Sequence, residues 1–168
     1  MTGRNVLVLG GARSGKSRYA EAIAAGHEGQ KVYVATAEPG DAEMAARIAH
    51  HKARRDAGWT TIEAPLDIAP ALETHSASFV LVDCITLWLT NMLLARRDIA
   101  PEVERLASVL SRRHGPTVLV SNEVGFGIVP DNELARRFRD EAGLAHQRLA
   151  KICDEVVLMV AGLPMKFK

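Results

Sequence analysis

The amino-acid sequence predicts a single α/β domain whose sheet is mostly parallel and carries helices on both faces. Two observations support this fold class. Apolar, β-rich segments alternate along the chain with segments of helical periodicity, which is the pattern of strand–helix–strand units. A glycine-rich loop also connects the first strand to the first helix, as in domains that bind phosphate groups. We therefore expect one catalytic, nucleotide-binding domain over residues 1–168.

The glycine-rich loop reads Gly10-Gly11-Ala12-Arg13-Ser14-Gly15-Lys16-Ser17 and fits the pattern G-x-x-x-x-G-K-[ST]. Residues 5–9 before it predict a buried strand, and residues 17–25 after it predict a helix. The glycines let backbone N–H groups point at a polyphosphate, and the helix N-terminus adds partial positive charge. We expect Lys16 to reach the β- and γ-phosphates of a nucleoside triphosphate and the Ser17 hydroxyl to bind Mg²⁺. This combination is typical of a P-loop NTPase domain.

The remaining elements follow from hydrophobic periodicity and turn residues. Strands are predicted at residues 31–36, 59–63, 79–83, 116–121 and 156–160. Helices are predicted at 41–56, where Asp41 would be the N-cap, and at 66–72, 85–94 and 101–112. A long helix capped by Asn132 follows, and its buried stripe would consist of Leu134, Phe138, Ala145, Leu149 and Ile152. No strand is predicted over residues 162–168.

Composition excludes several classes of protein. The chain is 48% hydrophobic and 24% charged, which is ordinary for a globular protein, and its net charge of +1 gives no indication of nucleic-acid binding. No apolar run approaches the length of a membrane span, and the residues before the first strand leave no room for a signal peptide. We therefore expect a cytoplasmic protein without membrane insertion. Cys84 and Cys153 lie outside any C-x-x-C pair and are expected to be reduced core residues.

Asp83 is the predicted second metal residue. It follows four apolar residues at the end of a predicted strand, where phosphate-loop enzymes place the acid that holds Mg²⁺. The carboxyl ends of parallel strands meet at one edge of a sheet. We therefore expect Asp83 and Ser17 to lie close together and to form the metal site. An ordinary polar strand end is the alternative.

The predicted helix 41–56 contains a pair of histidines. At helical spacing Arg47, His50 and Arg54 share one face, whereas His51 turns toward an apolar stripe. Guanidinium groups suit phosphate oxygens, and nearby positive charge disfavours the imidazolium form. A neutral His50 beside a bound triphosphate would be able to attack phosphorus. The residues alone leave two alternatives open, a solvated surface and phosphate binding without reaction.

A second candidate region follows the fifth predicted strand. Asn122 and Glu123 precede a glycine-rich, apolar loop that ends at Pro130, which is typical of a loop that faces a substrate. A turn whose glycines only provide backbone freedom is an equal alternative. Trp88 and Phe126 are able to stack on a planar ligand, but single aromatic residues in apolar runs are more often part of the core.

These segments together resemble one family, the bifunctional adenosylcobinamide kinase/adenosylcobinamide-phosphate guanylyltransferases of cobalamin biosynthesis. The resemblance covers nearly the whole chain in order, and its most specific parts are the histidine pair and the loop after the fifth strand. The segments that carry it are the phosphate loop, Tyr33-Val34-Ala35-Thr36-Ala37, Glu43-Met44-Ala45-Ala46-Arg47-Ile48-Ala49-His50-His51-Lys52, Asp83-Cys84-Ile85-Thr86, Thr90-Asn91 and Ser121-Asn122-Glu123-Val124-Gly125-Phe126-Gly127-Ile128-Val129-Pro130.

The resemblance implies two successive reactions. Such enzymes phosphorylate the aminopropanol hydroxyl of adenosylcobinamide with ATP or GTP, and then transfer GMP from GTP onto that phosphate through a guanylylated histidine. The resemblance also implies that His50 is this histidine and that the chain forms a homotrimer.

The resemblance further bears on the nucleotide site. Glutamate is common in the family where this chain has Asp83, and aspartate keeps the carboxylate but shortens its reach. The implied contacts of GTP are the phosphate loop, Ala35, Thr36, Ala37, His51, Lys52, Ala53, Arg54, Glu63 and Asp83.

Two other functions are compatible with a phosphate loop. The first alternative is a simple phosphate-loop kinase of a small metabolite, in which His50 would only bind phosphate. A non-enzymatic switch that is gated by nucleotide is the third reading, and the near-zero net charge disfavours a switch that binds DNA. Retention of label from α-labelled GTP would separate the first function from both alternatives.

Overall fold

The computed structural model describes residues 3–38, 40 and 58–168. The predicted helix 41–56 lies outside the described residues, and with it Arg47, His50, His51, Lys52, Ala53 and Arg54. The strands of the described part are β1 (Asn5–Gly10), β2 (Lys31–Ala35), β3 (Trp59–Glu63), β4 (Phe79–Asp83), β5 (Thr117–Val120), β6 (Glu155–Val160) and β7 (Leu163–Lys166). Its helices are α1 (Lys16–Ala25), α2 (Ile68–Thr74), α3 (Ile85–Leu94), α4 (Ile99–Arg112) and α5 (Glu133–Ile152).

The strands form one seven-stranded sheet in the order β3-β2-β4-β5-β1-β6-β7. All neighbouring pairs are parallel except β6 and β7, so the prediction of a mostly parallel sheet is confirmed. The carboxyl ends of β1, β4 and β5 therefore meet at the same edge, with β5 between the other two. This order brings the phosphate loop, Asp83 and the segment after β5 into one region.

The hydrophobic core lies on both faces of the sheet, because alternate side chains of each buried strand point to opposite sides. On one face Leu7 and Leu119 pack with residues of α2, α3, α4 and α5. On the other face Val8 and Val120 pack with Ala20 and Ala24 of α1. Both faces are covered, as predicted. No helix of the described residues combines the length and the hydrophobicity that a bilayer crossing requires.

Most element boundaries agree with the prediction to within two residues, but the chain terminus does not. Residues 163–166 form β7, which was not predicted, and it pairs antiparallel with β6. Ala161 and Gly162 both have positive φ, so the hairpin turns through two left-handed residues. Pro164 within the run argues against a central strand, and β7 is indeed an edge strand.

The predicted buried stripe of α5 is wrong at one end. Ala145 and Leu149 are buried, whereas 58% of the Leu134 surface is exposed. The buried residues of α5 begin at Ala142, so among the described residues its first turn lies outside the part of the helix that packs in the core. The N-cap is confirmed, because the Asn132 side chain accepts a hydrogen bond from the backbone N–H of Ala135 at 2.7 Å.

Candidate nucleotide-binding site

The phosphate loop turns sharply between β1 and α1, and two of its glycines are sterically required. Gly10 has φ 151°, and a Cβ there would lie 2.6 Å from the carbonyl oxygen of Met159. Gly15 has φ 100° and immediately precedes α1. Both values favour glycine. Gly11 has open space around it, so its role is not to avoid a clash. Arg13 adopts φ 56° with an exposed side chain.

Helix α1 begins without any side-chain cap and without an acidic residue in its first turn. The first turn of α1 therefore supplies no anionic side chain of its own, and the positive end of the helix dipole faces the loop. Ser14 accepts a hydrogen bond from the N–H of Gly162 at 3.0 Å through its backbone carbonyl, so the β6–β7 turn supports the loop. Within the loop the Ser14 N–H donates to the Gly11 carbonyl at 3.3 Å. The loop N–H groups at the start of α1 are of the kind that bind anions.

Lys16 lies where a positive charge would face bound phosphates. Its ammonium group donates a hydrogen bond to the carbonyl oxygen of Gly11 at 2.6 Å, across the loop. Burial lowers the pKa of Lys16, while the nearby Cys84 and Asp83 act in the opposite direction. The ammonium is thus partly desolvated and donates to a neutral carbonyl oxygen, which a charged phosphate oxygen would be able to replace.

Asp83 and Ser17 lie together, as predicted from the sequence. The Ser17 hydroxyl donates to Asp83 Oδ2 at 3.2 Å, and the Tyr33 hydroxyl donates to the same oxygen at 2.9 Å. Hydroxyl and carboxylate oxygens are the hard ligands that Mg²⁺ prefers, and one or two protein groups suffice when substrate phosphates and waters complete the shell. The residues present therefore fit Mg²⁺. The described residues contain no cluster of three or more His, Cys, Asp or Glu that would form an all-protein metal cage.

The other predicted nucleotide contacts lie along the same edge at increasing distance from the loop. Ala35 is in register with both Asp83 and Glu63, which places these residues at the ends of β2, β4 and β3. Glu63 is four strands away from β1, or about 19 Å at the usual strand spacing. It borders a hollow of about 460 Å³ between β3 and α2. Glu63 is thus too far from the loop to contact phosphates held there.

Thr36 is already committed to structural hydrogen bonds. Its hydroxyl accepts from the Cys84 N–H and donates to the Cys84 carbonyl, both at 2.8 Å. Its own carbonyl accepts from the Asn91 side chain at 2.8 Å. The side chain therefore ties the end of β2 to the start of α3. Ala37 follows it on the surface side, half-buried.

A polar cluster at the end of β5 was only partly anticipated. Glu123 was singled out, and its N–H donates to the Gly10 carbonyl at 3.0 Å, which brings it against the phosphate loop. Its carboxylate lies 3.8 Å from His146 Nδ1, and His146 Nε2 lies 2.7 Å from the Ser121 hydroxyl. Asn122 donates to the Thr86 hydroxyl through both its backbone and its side chain, at 3.3 and 3.2 Å.

Tyr33 and His146 were missed as site residues, although the sequence contains a signal for each. Tyr33 lies two residues before the end of β2, so its long side chain is able to reach the carboxyl edge. His146 shares the buried face of α5 with Ala142, Ala145 and Leu149 at spacings of three and four residues. A titratable residue on an apolar helix face needs a polar partner in the core. That requirement marks His146 as a candidate member of a buried polar cluster.

The two aromatic candidates differ in their environment. Trp88 is 1% exposed and donates its indole N–H to the Leu66 carbonyl, which confirms the core interpretation. For Phe126 that interpretation is wrong, because 83% of its surface is exposed. The loop after β5 extends outward from the sheet edge, and Ile128 and Val129 are exposed with Phe126. Exposed apolar side chains next to a polar cleft are typical of a binding surface.

The fold and the loop geometry define an α/β nucleotide-binding domain of the P-loop NTPase class. Two solved structures have the same fold over 94% of this chain. They are a KaiC-like protein, PH0186, from Pyrococcus horikoshii OT3 (TM-score 0.51, 17% identity, 72% of that chain covered) and the RadB recombinase (TM-score 0.50, 16% identity, 74% covered). At this level of identity the likeness concerns the fold alone.

The chain belongs to the CobU family, described as Cobinamide kinase / cobinamide phosphate guanyltransferase, whose family model matches residues 6–167. It is 51% identical over 166 residues to the bifunctional adenosylcobalamin biosynthesis protein CobP of Pseudomonas aeruginosa, covering 96% of each chain. It is 45% identical over 180 residues to the corresponding CobU of Salmonella typhimurium, covering 97% of this chain and 99% of the relative. The sequence-based resemblance is thereby confirmed.

Proposed function

We propose that this protein phosphorylates adenosylcobinamide with ATP or GTP and then transfers GMP from GTP to the product, giving adenosylcobinamide-GDP. The observation that carries the proposal is membership of the CobU family over residues 6–167, since that family is described by both activities. The complete phosphate loop between β1 and α1, with Lys16 across it, supports the nucleotide-dependent part of the proposal.

In the kinase reaction the loop would hold the triphosphate through its backbone N–H groups, with Lys16 against the β- and γ-phosphates. Ser17 and Asp83 would hold Mg²⁺, which supplies charge neutralisation to the phosphates when it is bound. Tyr33 donates to Asp83 Oδ2 and so fixes the orientation of that carboxylate. The remaining predicted contacts, from Ala35 to Ala37 and at Glu63, would serve the sugar or the base, because they lie farther along the sheet edge.

For the transfer of GMP we propose His50 as the nucleophile. One imidazole nitrogen would attack the α-phosphorus of GTP, pyrophosphate would leave, and the phosphate of the acceptor would then displace the histidine. Arg47 and Arg54 share its predicted helical face and are suited to holding phosphate oxygens. The support is the helical spacing and the family resemblance, since these residues lie outside the described part of the chain.

The acceptor is proposed to dock on the loop after β5. Cobinamide phosphate is named in the description of the family, and a corrinoid presents a large ring with apolar surface. Phe126, Ile128 and Val129 offer exposed apolar side chains beside the phosphate loop, at a sheet edge where parallel α/β sheets bind ligands.

We further propose a cytoplasmic homotrimer, as the resemblance implies. The free thiols of Cys84 and Cys153 fit a reducing compartment.

One incubation tests the proposal against the two alternatives. The protein is mixed with Mg²⁺, adenosylcobinamide and GTP, and the corrinoid products are identified by mass. Adenosylcobinamide-GDP is expected. A simple kinase would stop at a phosphorylated product, and a switch would give no product. Lys16→Ala should fail in both steps, because it removes the charge opposite the β- and γ-phosphates.

A trapping experiment tests His50 itself. Protein incubated with α-labelled GTP should retain the label in an acid-labile, alkali-stable form, as a phosphoramidate does, whereas γ-labelled GTP should leave none. His50→Ala should lose the adduct and keep kinase activity, because phosphorylation does not need this imidazole. His51→Ala is the matched control and should still form the adduct. Acid-labile GMP on the His50→Ala protein would identify a different nucleophile.

A further inference from the structure

The segment that leaves β5 occupies the space between the two halves of the nucleotide site. β5 lies between β1, which leads into the phosphate loop, and β4, which ends in Asp83. The Ser121 N–H donates to the Val8 carbonyl and the Glu123 N–H to the Gly10 carbonyl, both at 3.0 Å. The backbone of Glu123 is therefore fixed against Gly10, the first residue of the loop.

The carboxylate of Glu123 is held in place by its own turn. Its Oε1 accepts a hydrogen bond from the Gly125 N–H at 2.5 Å. A Cβ on Gly125 would lie 2.8 Å from this oxygen, so glycine at this position permits the contact. Oε1 still has a lone pair for a second donor. The carboxylate is 19% exposed, so a substrate hydroxyl is able to reach it.

Behind the carboxylate lies a buried imidazole. His146 of α5 is 7% exposed, with Nε2 at 2.7 Å from the fully buried Ser121 hydroxyl and Nδ1 at 3.8 Å from Glu123 Oε2. Burial lowers the pKa of His146, against the opposing effect of the Glu123 charge, so the ring is neutral at physiological pH. When Ser121 donates to Nε2, Nδ1 carries the ring proton. Nδ1 lies 3.8 Å from Glu123 Oε2, so its contact with the carboxylate is electrostatic and longer than a hydrogen bond.

We propose that Glu123 is the catalytic base of the kinase step, and that His146 and Ser121 are the residues that position it. The proton of the acceptor hydroxyl passes to a Glu123 carboxylate oxygen as the hydroxyl oxygen bonds to the γ-phosphorus. The bond from the γ-phosphorus to the β,γ-bridging oxygen breaks, and the nucleoside diphosphate leaves with that electron pair. Solvent then takes the proton from Glu123. This inference rests on the proposed kinase activity and adds a residue and a role to it.

The neighbouring groups are less suited to this role. Asp83 Oδ2 already accepts hydrogen bonds from Ser17 and Tyr33 and belongs to the proposed metal site. His146 is enclosed between Ser121 and Glu123 and lies too deep to contact an acceptor. Protein kinases use a carboxylate in the same way, to accept the proton of the substrate hydroxyl.

The test separates the two half-reactions. Glu123→Gln keeps the size of the side chain and removes the base, so kinase kcat on adenosylcobinamide should fall about a hundredfold or more. KM for the nucleotide should change little. Guanylyl transfer to supplied adenosylcobinamide phosphate should stay within about threefold of wild type, because the attacking group is an anionic phosphate oxygen and needs no base to deprotonate it. His146→Asn, which keeps a donor near the Nδ1 position, should retain more kinase activity than His146→Leu.

A pair of glycine variants tests the position of the carboxylate without removing it. Gly125→Ala places a methyl group against the Glu123 carboxylate, the flexible end of a side chain, so it should lower kinase kcat with little loss of stability. Gly143→Ala adds the same methyl group in open space on α5, outside the proposed acceptor loop, and its effect should be at least tenfold smaller.

The kinase and guanylyl-transfer rates of the wild type and of Glu123→Gln distinguish three outcomes. Wild-type protein that forms neither adenosylcobinamide phosphate nor adenosylcobinamide-GDP would overturn the proposed function and this inference with it. Wild-type kinase activity with an equally active Glu123→Gln variant would overturn the inference alone. An equal loss of both half-reactions in Glu123→Gln would show that Glu123 supports the structure of the site, which also overturns its role as the base.

Discussion

Two polar side chains at the nucleotide site, Lys16 and Asp83, make hydrogen bonds within the protein that are compatible with binding phosphate and Mg²⁺. Lys16 donates to a carbonyl of its own loop, and Asp83 accepts from Ser17 and Tyr33 through Oδ2. The other carboxylate oxygen, Oδ1, provides a second set of lone pairs. A carboxylate with such an oxygen beside a serine hydroxyl is the minimal protein contribution to a Mg²⁺–phosphate site.

At the residue scale, we predict that Asp83→Asn lowers turnover in both half-reactions. The substitution removes the negative charge near the metal, and charge stabilisation of this kind contributes several kcal/mol to phosphoryl transfer. A loss of about 3 kcal/mol corresponds to about a hundredfold in kcat. Steady-state kinetics with varied Mg²⁺ would measure it. Tyr33→Phe is the control, because it removes one hydrogen bond and keeps the charge. An unchanged Mg²⁺ dependence in Asp83→Asn would refute the metal assignment.

At the scale of elements, α5 connects the site to the outer part of the molecule. Its middle carries His146, and its first turn follows the proposed acceptor loop. The Asn132 side chain caps the helix, and the Arg136 guanidinium donates to the Pro130 and Asp131 carbonyls at 2.9 and 2.7 Å. The start of α5 therefore anchors the end of the acceptor loop by hydrogen bonds to its backbone.

We predict that Asn132→Ala lowers the free energy of unfolding by about 1 kcal/mol, because the Ala135 N–H loses its acceptor. Chemical denaturation would measure the change. Asn132→Asp retains an oxygen acceptor and adds a negative charge at a helix N-terminus, so it should be close to wild type. Equal losses in the two variants would show that the cap hydrogen bond does not stabilise α5.

The sequence predicted those elements whose signal is local. The four apolar residues before Asp83 defined β4 and its end, and the G-x-x-x-x-G-K-[ST] pattern defined the loop. β7 was missed because Pro164 and the Ala161–Gly162 turn are weak strand signals, whereas the pairing with β6 decides the outcome. The contact of Ser121 with His146 joins residues that are 25 positions apart, and only the packing of α5 on the sheet brings them together.

In the whole molecule, the candidate nucleotide site and the buried guanidinium of Arg113 lie at opposite ends of the strands. Arg113 is 2% exposed, follows α4, and lies beside Thr117, the first residue of β5. β5 has four residues, or about 13 Å at the usual rise, between this point and the segment that carries Glu123. Arg113 and the proposed catalytic residues therefore lie at different ends of the same sheet, and substitutions at one end are able to test whether stability and catalysis are separate.

The Arg113 guanidinium joins three elements through neutral acceptors. It donates to the carbonyls of Leu72 and His75 at the end of α2, at 2.6 and 3.0 Å, and to the Ser78 carbonyl before β4 at 2.7 Å. Its Nε donates to the Thr117 hydroxyl at 3.0 Å. Burial lowers the pKa of Arg113 to about 10, so the group stays charged at neutral pH. The negative end of the α2 dipole stabilises that charge.

We predict that Arg113→Met lowers the free energy of unfolding by about 3 kcal/mol or more, since it leaves several buried carbonyl oxygens without a donor. Urea denaturation should show a lower midpoint with an unchanged slope. Arg113→Lys keeps the charge but replaces the planar five-donor fork by one ammonium group, so it should recover only part of the loss. The folded fraction of both variants should retain wild-type kcat in both half-reactions, because the substitution lies at the far end of the strands from the phosphate loop. A kcat that falls in proportion to stability would mean that the two ends of the sheet are coupled.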